Sequence, residues 1–192
     1  MSSSAEARRA AFIDRDGVIN DERHYVHRIE DFVLLPNVAP GLRLLSELGY
    51  ELVVVTNQAG IARGLYDEAT MHRLHAYMEE VLGEQGVHLR AIYYCPHHPD
   101  SAIPALSKEC NCRKPRPGML LQAAKDLGID LSGSLLIGDK RSDVEAGRAA
   151  GLRHLLLVRS GHPLQKGDEA AAHAVCEDLL EAARWAAAHQ DS

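Results

Sequence analysis

Short apolar stretches alternate along the chain with longer stretches in which apolar residues recur every three or four positions. Continuous apolar runs are typical of buried strands in a parallel sheet, and the longer periodic stretches indicate helices packed against it. We predict strands over residues 10–14, 51–55, 91–94, 134–137 and 155–158. We predict helices over residues 38–48, 67 to about 85, 115–127, 142–150 and 169–189. This alternation predicts an α/β fold, a three-layer sandwich around a parallel sheet.

Polar residues follow three of the predicted strands. Asp14 and Asp16 end the first, Thr56 follows the second and Asp139 follows the fourth. Residues two apart in an extended segment project to the same side, and parallel strands bind ligands beyond their carboxyl ends. Two close carboxylates repel each other unless a cation lies between them, which favours Mg²⁺ held by oxygen ligands. A common Asp/Gly turn would explain the first strand end alone, but not all three.

Length and charge restrict the class of protein. A chain of 192 residues fits a single domain, here residues 1–192, with residues 1–9 expected to be a flexible tail. The formal net charge of −6, without a long Lys/Arg run, argues against a nucleic-acid partner. There is no apolar run of transmembrane length and no apolar core of a signal peptide near the start. We therefore expect a cytoplasmic protein without a membrane partner, and a monomer.

Three of the four cysteines are clustered within residues 95–112. Clustering of this kind favours a metal site over disulfides. Three thiolates and one imidazole form a closed tetrahedral Zn²⁺ set, which leaves no open position for catalysis. His98 is an alternative to His97 as the imidazole ligand. The predicted zinc-bound loop insertion spans residues 95–113, and its ligands are Cys95, His97, Cys110 and Cys112. Cys176 is predicted to be a core residue on the last helix.

The motifs DRDG at 14–17 and GDKRSD at 138–143, with Thr56 and Lys114, resemble the haloacid dehalogenase (HAD) phosphotransferases over residues 10–160. The resemblance implies a Rossmann-like HAD sheet and catalysis through an aspartyl-phosphate. It implies that Asp14 is the nucleophile, that Asp16 is the general acid and then the base, and that Thr56 and Lys114 hold phosphoryl oxygens. A general acid must carry a proton, so we expect a raised pKa for Asp16. The implied ligands of catalytic Mg²⁺ are Asp14, the Asp16 backbone carbonyl and Asp139, with Asp143 supporting them.

The CxH…CxC loop narrows the resemblance to two groups of HAD phosphatases, which act on heptose 1,7-bisphosphate or on histidinol phosphate. The first group is resembled more closely in TNQAGIARG at 56–64, YYCPHHP at 93–99, CRKPRPGML at 112–120 and GDK at 138–140. It implies structural zinc and a small phosphorylated sugar as substrate, D-glycero-D-manno-heptose 1,7-bisphosphate. The C7 phosphate would be removed on the way to ADP- or GDP-heptose and surface polysaccharide. Histidinol-phosphate phosphatase, or a degenerate zinc-stabilised binding module, remains the alternative.

No insertion is long enough for a separate cap domain, so loops at 21–28, 57–65 and 95–113 are expected to shape the site. A bisphosphate needs cations beyond those on the reacting phosphate, and Arg63, Arg113 and Lys140 are available. His24 stands where the heptose group usually has glycine, and histidine adopts positive φ less readily. Further expected substrate contacts are Glu22, Arg23, His24, Tyr25, Asn57 and Gln58.

Overall fold

A computed structural model describes residues 7–190 of the chain. Within that range the strands are β1 (Arg9–Ile13), β2 (Tyr50–Asn57), β3 (Ala91–Cys95), β4 (Leu135–Gly138), β5 (His154–Val158) and β6 (Ala174–Cys176). They form one parallel sheet in the order β3-β2-β1-β4-β5-β6. Strand β1 is central, between β2 and β4, where the order of the strands reverses and open α/β sheets bind their ligands.

Helices cover both faces of the sheet, which confirms the predicted three-layer α/β fold. Along β1, Ala11 and Ile13 pack on one side and Ala10 and Phe12 on the other. The helices are α1 (Val38–Glu47), α2 (Ala59–Ala62), α3 (Glu68–Glu84), α4 (Gly118–Leu127), α5 (Arg141–Ala150) and α6 (Leu179–Ala188). Helices α1, α3 and α6 contribute to the apolar cluster around Ala11 and Ile13, and α4 and α5 to the cluster around Ala10 and Phe12.

The two halves of the chain are joined at β1. Phe12 is paired with Val53 of β2 on one side and with Leu136 of β4 on the other. Beside this register, the backbone N–H of Ala10 donates to Ser134 Oγ at 2.9 Å, across 124 residues of sequence. The central strand therefore depends on partners from distant parts of the chain.

The prediction of a single helix over residues 169–189 is wrong. This stretch contains a short 3-10 helix at Glu169–Ala171, then β6, and only then α6. Its alanine content favours a helix, but pairing of Ala174–Cys176 with β5 overrides that local preference. The side chain of Asp178 then caps α6 by accepting a hydrogen bond from the Glu181 N–H. Cys176 is buried as predicted, but on a strand rather than a helix.

Smaller differences occur at element ends. Strand β1 begins at Arg9, so the last residue of the expected tail belongs to the sheet. Residues 1–6 of that tail lie outside the described part of the chain. Helix α4 begins at Gly118, not at residue 115 as predicted, and α2 lies in a stretch predicted to be a loop. None of the described helices has both the length and the apolar character needed to cross a membrane.

Candidate active site

Side chains from three strand ends and one loop meet at the carboxyl edge of the sheet. Lys114, from the loop before α4, is buried between two carboxylates. Its Nζ lies 2.9 Å from Asp14 Oδ1 and 2.7 Å from Asp143 Oδ1, and it donates to the Val55 carbonyl at 2.8 Å. The nucleophile predicted from the sequence is thus in direct contact with the lysine predicted to hold phosphate.

Charge in this cluster is only partly balanced. Burial lowers the pKa of Lys114, but Asp14 and Asp143 outweigh burial and raise it above its ordinary value, so the ammonium stays charged. Burial raises the pKa of Asp14, although Lys114 opposes that change. Burial, and then Asp14, raise the pKa of Asp139 as well. Lys114 therefore pairs with two of the three buried carboxylates, and the charge of Lys140 offsets only part of the effect of burial on Asp14 and Asp139.

The carboxylates fit a hard cation. Asp14, Asp139 and Asp143 each offer a ligand atom, and these atoms lie within 4.8 Å of one another. Asp139 Oδ1 is buried and has no hydrogen-bond partner among the described residues. Asp139 Oδ2 is held by the His162 backbone N–H at 2.9 Å and by His162 Nδ1 at 2.7 Å. An oxygen-only set with one orphaned buried oxygen suits Mg²⁺, which would satisfy that atom and offset the excess charge.

Two glycines make room for the Asp139 carboxylate. A Cβ on Gly17 would lie 2.4 Å from Asp139 Oδ2, and one on Gly161 would lie 2.2 Å from it. Gly17 also has a φ of 86°, in the left-handed region that glycine adopts without strain. The glycine of the DRDG motif therefore both turns the chain and allows the close approach of a carboxylate that could ligate a metal ion.

The Asp16 carboxylate is surrounded by hydrogen-bond donors. Its Oδ1 accepts from Arg15 Nε at 3.2 Å, Arg15 Nη2 at 2.8 Å and Asn20 Nδ2 at 3.1 Å. Its Oδ2 accepts from Gln58 Nε2 at 3.2 Å. Burial raises the pKa of Asp16, but Arg15 and these hydrogen bonds outweigh burial and lower it. The expected raised pKa is therefore wrong for this arrangement, because the sequence reasoning left out the guanidinium of Arg15.

Residues at and beyond the end of β2 orient Thr56 and Lys114, which are expected to hold phosphate. Gln58 Nε2 donates to Thr56 Oγ1 at 2.9 Å, which leaves the hydroxyl hydrogen of Thr56 free to donate elsewhere. Tyr66 fixes the amide of Gln58 by donating to its Oε1 at 2.6 Å. Asn57 binds the backbone of Lys114 twice, because its Nδ2 donates to the Lys114 carbonyl at 3.1 Å and its Oδ1 accepts from the Lys114 N–H at 3.0 Å. Asn57 thus positions the lysine.

A cavity of about 490 Å³ opens above these groups. Arg23 is the one expected substrate contact outside its lining, and its guanidinium instead pairs with Asp21 at the surface. Asp139 lines an adjoining cavity next to the main one. The expected site residues that line the main cavity are Asp14, Asp16, Glu22, His24, Tyr25, Thr56, Asn57, Gln58, Arg63, Arg113, Lys114, Lys140 and Asp143.

The loop at 21–28 lines the cavity with Glu22 and with two residues that have left-handed backbones. His24 has a φ of 55° and Tyr25 a φ of 64°, so histidine does occupy the conformation that a glycine would favour. Arg63 lies over the Tyr25 ring at 5.7 Å, and His27 stacks on Tyr66 at 4.7 Å. These contacts join the loop at 21–28 to the loop at 57–65 and to Tyr66 just after it.

Tyr66, His98 and His162 line the cavity but were not among the expected site residues. A ring or an imidazole on a loop carries no motif, and His162 follows a strand end to which no role was given. His98 was considered only as a metal ligand, and its Nδ1 accepts from the Asp100 N–H at 3.1 Å.

The cysteine loop forms a second cluster beside the cavity. The distances to Cys95 Sγ are 3.1 Å from Cys112 Sγ and 3.5 Å from Cys110 Sγ, and all the cysteines are free of disulfides. His97 Nδ1 lies 3.3 Å from Cys112 Sγ. These four donor atoms lie within 4.8 Å of one another, so the cluster could hold a metal ion, with His97 rather than His98 as its imidazole. Arg113 Nη1 donates to the His97 carbonyl at 3.3 Å, which links this loop to the cavity.

Comparisons with known proteins agree with this chemistry. A family model described as HAD-hydrolase-like matches residues 111–182. A D-glycero-alpha-D-manno-heptose-1,7-bisphosphate 7-phosphatase of Photorhabdus laumondii is 48% identical over 163 residues, 85% of this chain and 89% of the relative. The Escherichia coli D-glycero-beta-D-manno-heptose-1,7-bisphosphate 7-phosphatase is 44% identical over 172 residues, 90% of each chain. The crystal structure of a D,D-heptose 1,7-bisphosphate phosphatase from B. bronchiseptica, complexed with magnesium and phosphate, superposes with a TM-score of 0.77. It is 32% identical and the match covers 94% of this chain and 98% of that one.

Proposed function

The chain belongs to the HAD-like heptose-1,7-bisphosphate 7-phosphatases, and on that basis we propose how its residues remove the C7 phosphate of D-glycero-D-manno-heptose 1,7-bisphosphate. The products are heptose 1-phosphate and inorganic phosphate, on the way to ADP- or GDP-heptose for surface polysaccharide. The observation that carries the proposal is the buried contact of Lys114 with Asp14, 2.9 Å long, beside the orphaned oxygen of Asp139. A binding module would need cations for phosphate, but not a nucleophilic carboxylate paired with them.

In the first step Asp14 attacks phosphorus, and the bond to the C7 oxygen breaks. Asp16 gives its proton to that leaving oxygen. In the second step Asp16, now a carboxylate, takes a proton from the water that attacks the phosphorus of the aspartyl-phosphate, and this releases Asp14 and phosphate. Lys114 and the free hydroxyl hydrogen of Thr56 bind equatorial phosphoryl oxygens. Mg²⁺, held by Asp14, the Asp16 backbone carbonyl and Asp139, would neutralise charge on the phosphate.

The lowered pKa of Asp16 is compatible with its role as an acid once a substrate is present. Arg15 favours the ionised carboxylate in the structure. A substrate phosphate brings negative charge next to Asp16, and a nearby like charge raises the pKa of a carboxyl group. The negative charge of the bound phosphate thus shifts the pKa of Asp16 upwards, in the direction that a general acid needs.

Selection of a bisphosphate is supported by the cations that the catalytic step does not use. Arg63, Arg113 and Lys140 line the same cavity as Asp14. Arg113 is anchored to the metal-binding loop through the His97 carbonyl, so its guanidinium is held at the cavity wall. Arginine can bind phosphate oxygens in a bidentate manner, whereas the amine of histidinol phosphate would be repelled by these groups.

The cysteine cluster is proposed to hold Zn²⁺ with a purely structural role. Three thiolates and one imidazole fill a tetrahedral shell, so no position remains for substrate. All the proposed site residues come from one chain, so a monomer is sufficient for the proposed activity. A phosphorylated sugar without a membrane anchor is consistent with action in the cytoplasm.

Phosphate release from the heptose 1,7-bisphosphate anomers and from histidinol phosphate, each with Mg²⁺, tests the proposal. We expect kcat/KM to be far higher for a heptose bisphosphate, and Asp14→Asn to lower kcat by several orders of magnitude, because the covalent route is lost. Preference for histidinol phosphate would overturn the substrate assignment. Activity of Asp14→Asn within about tenfold of wild type would overturn the nucleophile.

A further inference from the structure

Arg15 lies between the two catalytic aspartates, but its side chain does not point into the cavity. It is 1% exposed, and an arginine buried to that degree requires partners for its charge and for its N–H groups. Three separate partners contact its guanidinium: the Asp16 carboxylate, the Val26 carbonyl and His75. The mechanism above gives Arg15 no role.

The first contact fixes one oxygen of the general acid. Arg15 Nε and Nη2, with Asn20 Nδ2, all donate to Asp16 Oδ1, at 3.2, 2.8 and 3.1 Å. Among the described residues, Oδ2 accepts only the hydrogen bond from Gln58 Nε2, at 3.2 Å. With Oδ1 engaged by three donors, Oδ2 is the oxygen that remains to meet the leaving group.

The second contact fixes the loop that carries His24 and Tyr25. Arg15 Nη2 donates to the Val26 carbonyl at 2.7 Å, and Val26 is buried. His24 and Tyr25, which both have positive φ, come directly before Val26 and line the cavity. The hydrogen bond from Arg15 to the Val26 carbonyl therefore fixes the backbone directly after His24 and Tyr25.

The third contact joins the remaining guanidinium nitrogen, Nη1, to His75. Arg15 Nη1 lies 3.1 Å from Nε2 of His75, a buried residue of α3. Burial, together with the charge of Arg15, lowers the pKa of His75 to about 3, so its imidazole is neutral and Nε2 can accept the hydrogen bond. Since three nitrogens of Arg15 are engaged in different directions, the guanidinium cannot turn without breaking a contact.

We propose that Arg15 is a positioning residue that orients Oδ2 of Asp16 towards the leaving group and anchors the loop at 21–28 through Val26. The inference rests on the proposed function, since it assumes that Asp16 is the general acid. The guanidinium of Arg15 thus links the position of the loop at 21–28 to the orientation of the Asp16 carboxylate. Lysine could keep the charge, but a single nitrogen cannot serve three partners spread around a planar fork.

The test compares Arg15→Lys with Asp16→Asn and with Arg43→Lys, an exposed arginine of α1 that donates to the Gln85 carbonyl. Two substrates are used: heptose 1,7-bisphosphate, whose alkoxide leaving group needs a proton, and 4-nitrophenyl phosphate, whose leaving group needs little help. Amide hydrogen exchange is measured in peptides covering residues 21–28 and 95–113. His75→Leu, which removes the acceptor behind the guanidinium, is included in case Arg15→Lys does not fold.

We expect Arg15→Lys to lower kcat/KM on the heptose substrate by about ten- to hundredfold, a part of the roughly 10²–10⁴-fold that general acid catalysis contributes, and on the aryl ester by much less. Exchange should become faster in residues 21–28 but not in residues 95–113. His75→Leu should change both readouts in the same direction by a smaller factor, and Arg43→Lys should change neither.

Equal losses on both substrates, with faster exchange in both peptides, would show a packing role and overturn the proposal. Wild-type rates and exchange in Arg15→Lys, or in a folded His75→Leu, would overturn it too. Failure of the proposed function is a separate result, because Asp16→Asn would then lower kcat/KM, which reports the step in which the leaving group departs, by the same factor on both substrates. Absence of phosphate release from the heptose by wild type would be such a failure too.

Discussion

Replacing Lys114 with methionine tests the charge balance of the site. Methionine keeps most of the length of the side chain but removes the ammonium, which is 2.9 Å from Asp14 and 2.7 Å from Asp143. Breaking a buried ion pair by removing one partner costs about 3–5 kcal/mol, because the other charge stays buried. For a domain of this size each kcal/mol shifts the melting temperature by about 2–4 °C. We therefore expect Lys114→Met to melt about 6–20 °C below wild type without metal.

Magnesium should raise the melting temperature of Lys114→Met more than that of wild type, because the variant has more uncompensated carboxylate charge. Activity should stay at least about a hundredfold low even with Mg²⁺, because a preorganised donor to the phosphate is missing. Thermal melts with and without Mg²⁺, and phosphate release, measure both effects. Lys125→Met, an exposed lysine of α4, is the matched control and should melt within about 2 °C of wild type. The reasoning would be refuted if Lys114→Met melted at the same temperature as Lys125→Met. It would also be refuted if Mg²⁺ raised the melting temperature of Lys114→Met no more than that of wild type.

Further predictions concern the metal sites and the substrate. Removing zinc with a strong chelator should lower the melting temperature of the protein. An unchanged melting temperature in zinc-free protein would contradict the structural role of Zn²⁺. Gly161→Ala, whose Cβ would lie 2.2 Å from Asp139 Oδ2, should weaken Mg²⁺ binding in calorimetry. Gly83→Ala, which meets nothing within 4 Å, should leave that affinity unchanged. Arg113→Ala should lower kcat/KM on the bisphosphate by roughly ten- to hundredfold, for a charge-assisted contact of about 1.5–3 kcal/mol, and equal loss on a simple monophosphate would refute the distal contact.

Much of the fold could be predicted from the sequence because apolar runs and helical periodicity report burial directly. The same logic placed Asp14, Thr56 and Asp139 at one edge of a parallel sheet, where the structure has them. Strand β6 could not be predicted in this way, since a short alanine-bearing segment favours a helix until β5 offers it hydrogen bonds.

The electrostatics of the site were harder to predict than its position. An arginine between two aspartates gives no sign in the sequence that its side chain turns inwards, and this made the expected pKa change of Asp16 wrong in direction. His162 reaches Asp139 from a loop that carries no motif, so only the tertiary structure reveals the contact. Local patterns predict where a functional group lies more reliably than which neighbours it meets.

The central position of β1 also sets the order in which activity can arise during synthesis. The ribosome makes Asp14 early, yet the neighbouring strand that begins beside Ser134 follows 124 residues after Ala10. At about 5–20 residues per second, roughly 6–25 s pass before that strand exists. A nascent chain in that interval has Asp14, the proposed nucleophile, but neither the strand that completes its sheet nor Asp139 at the strand's end. If the proposed mechanism holds, we expect the growing polypeptide to be unable to react with cellular phosphate esters until Asp139 and the strand before it have been made.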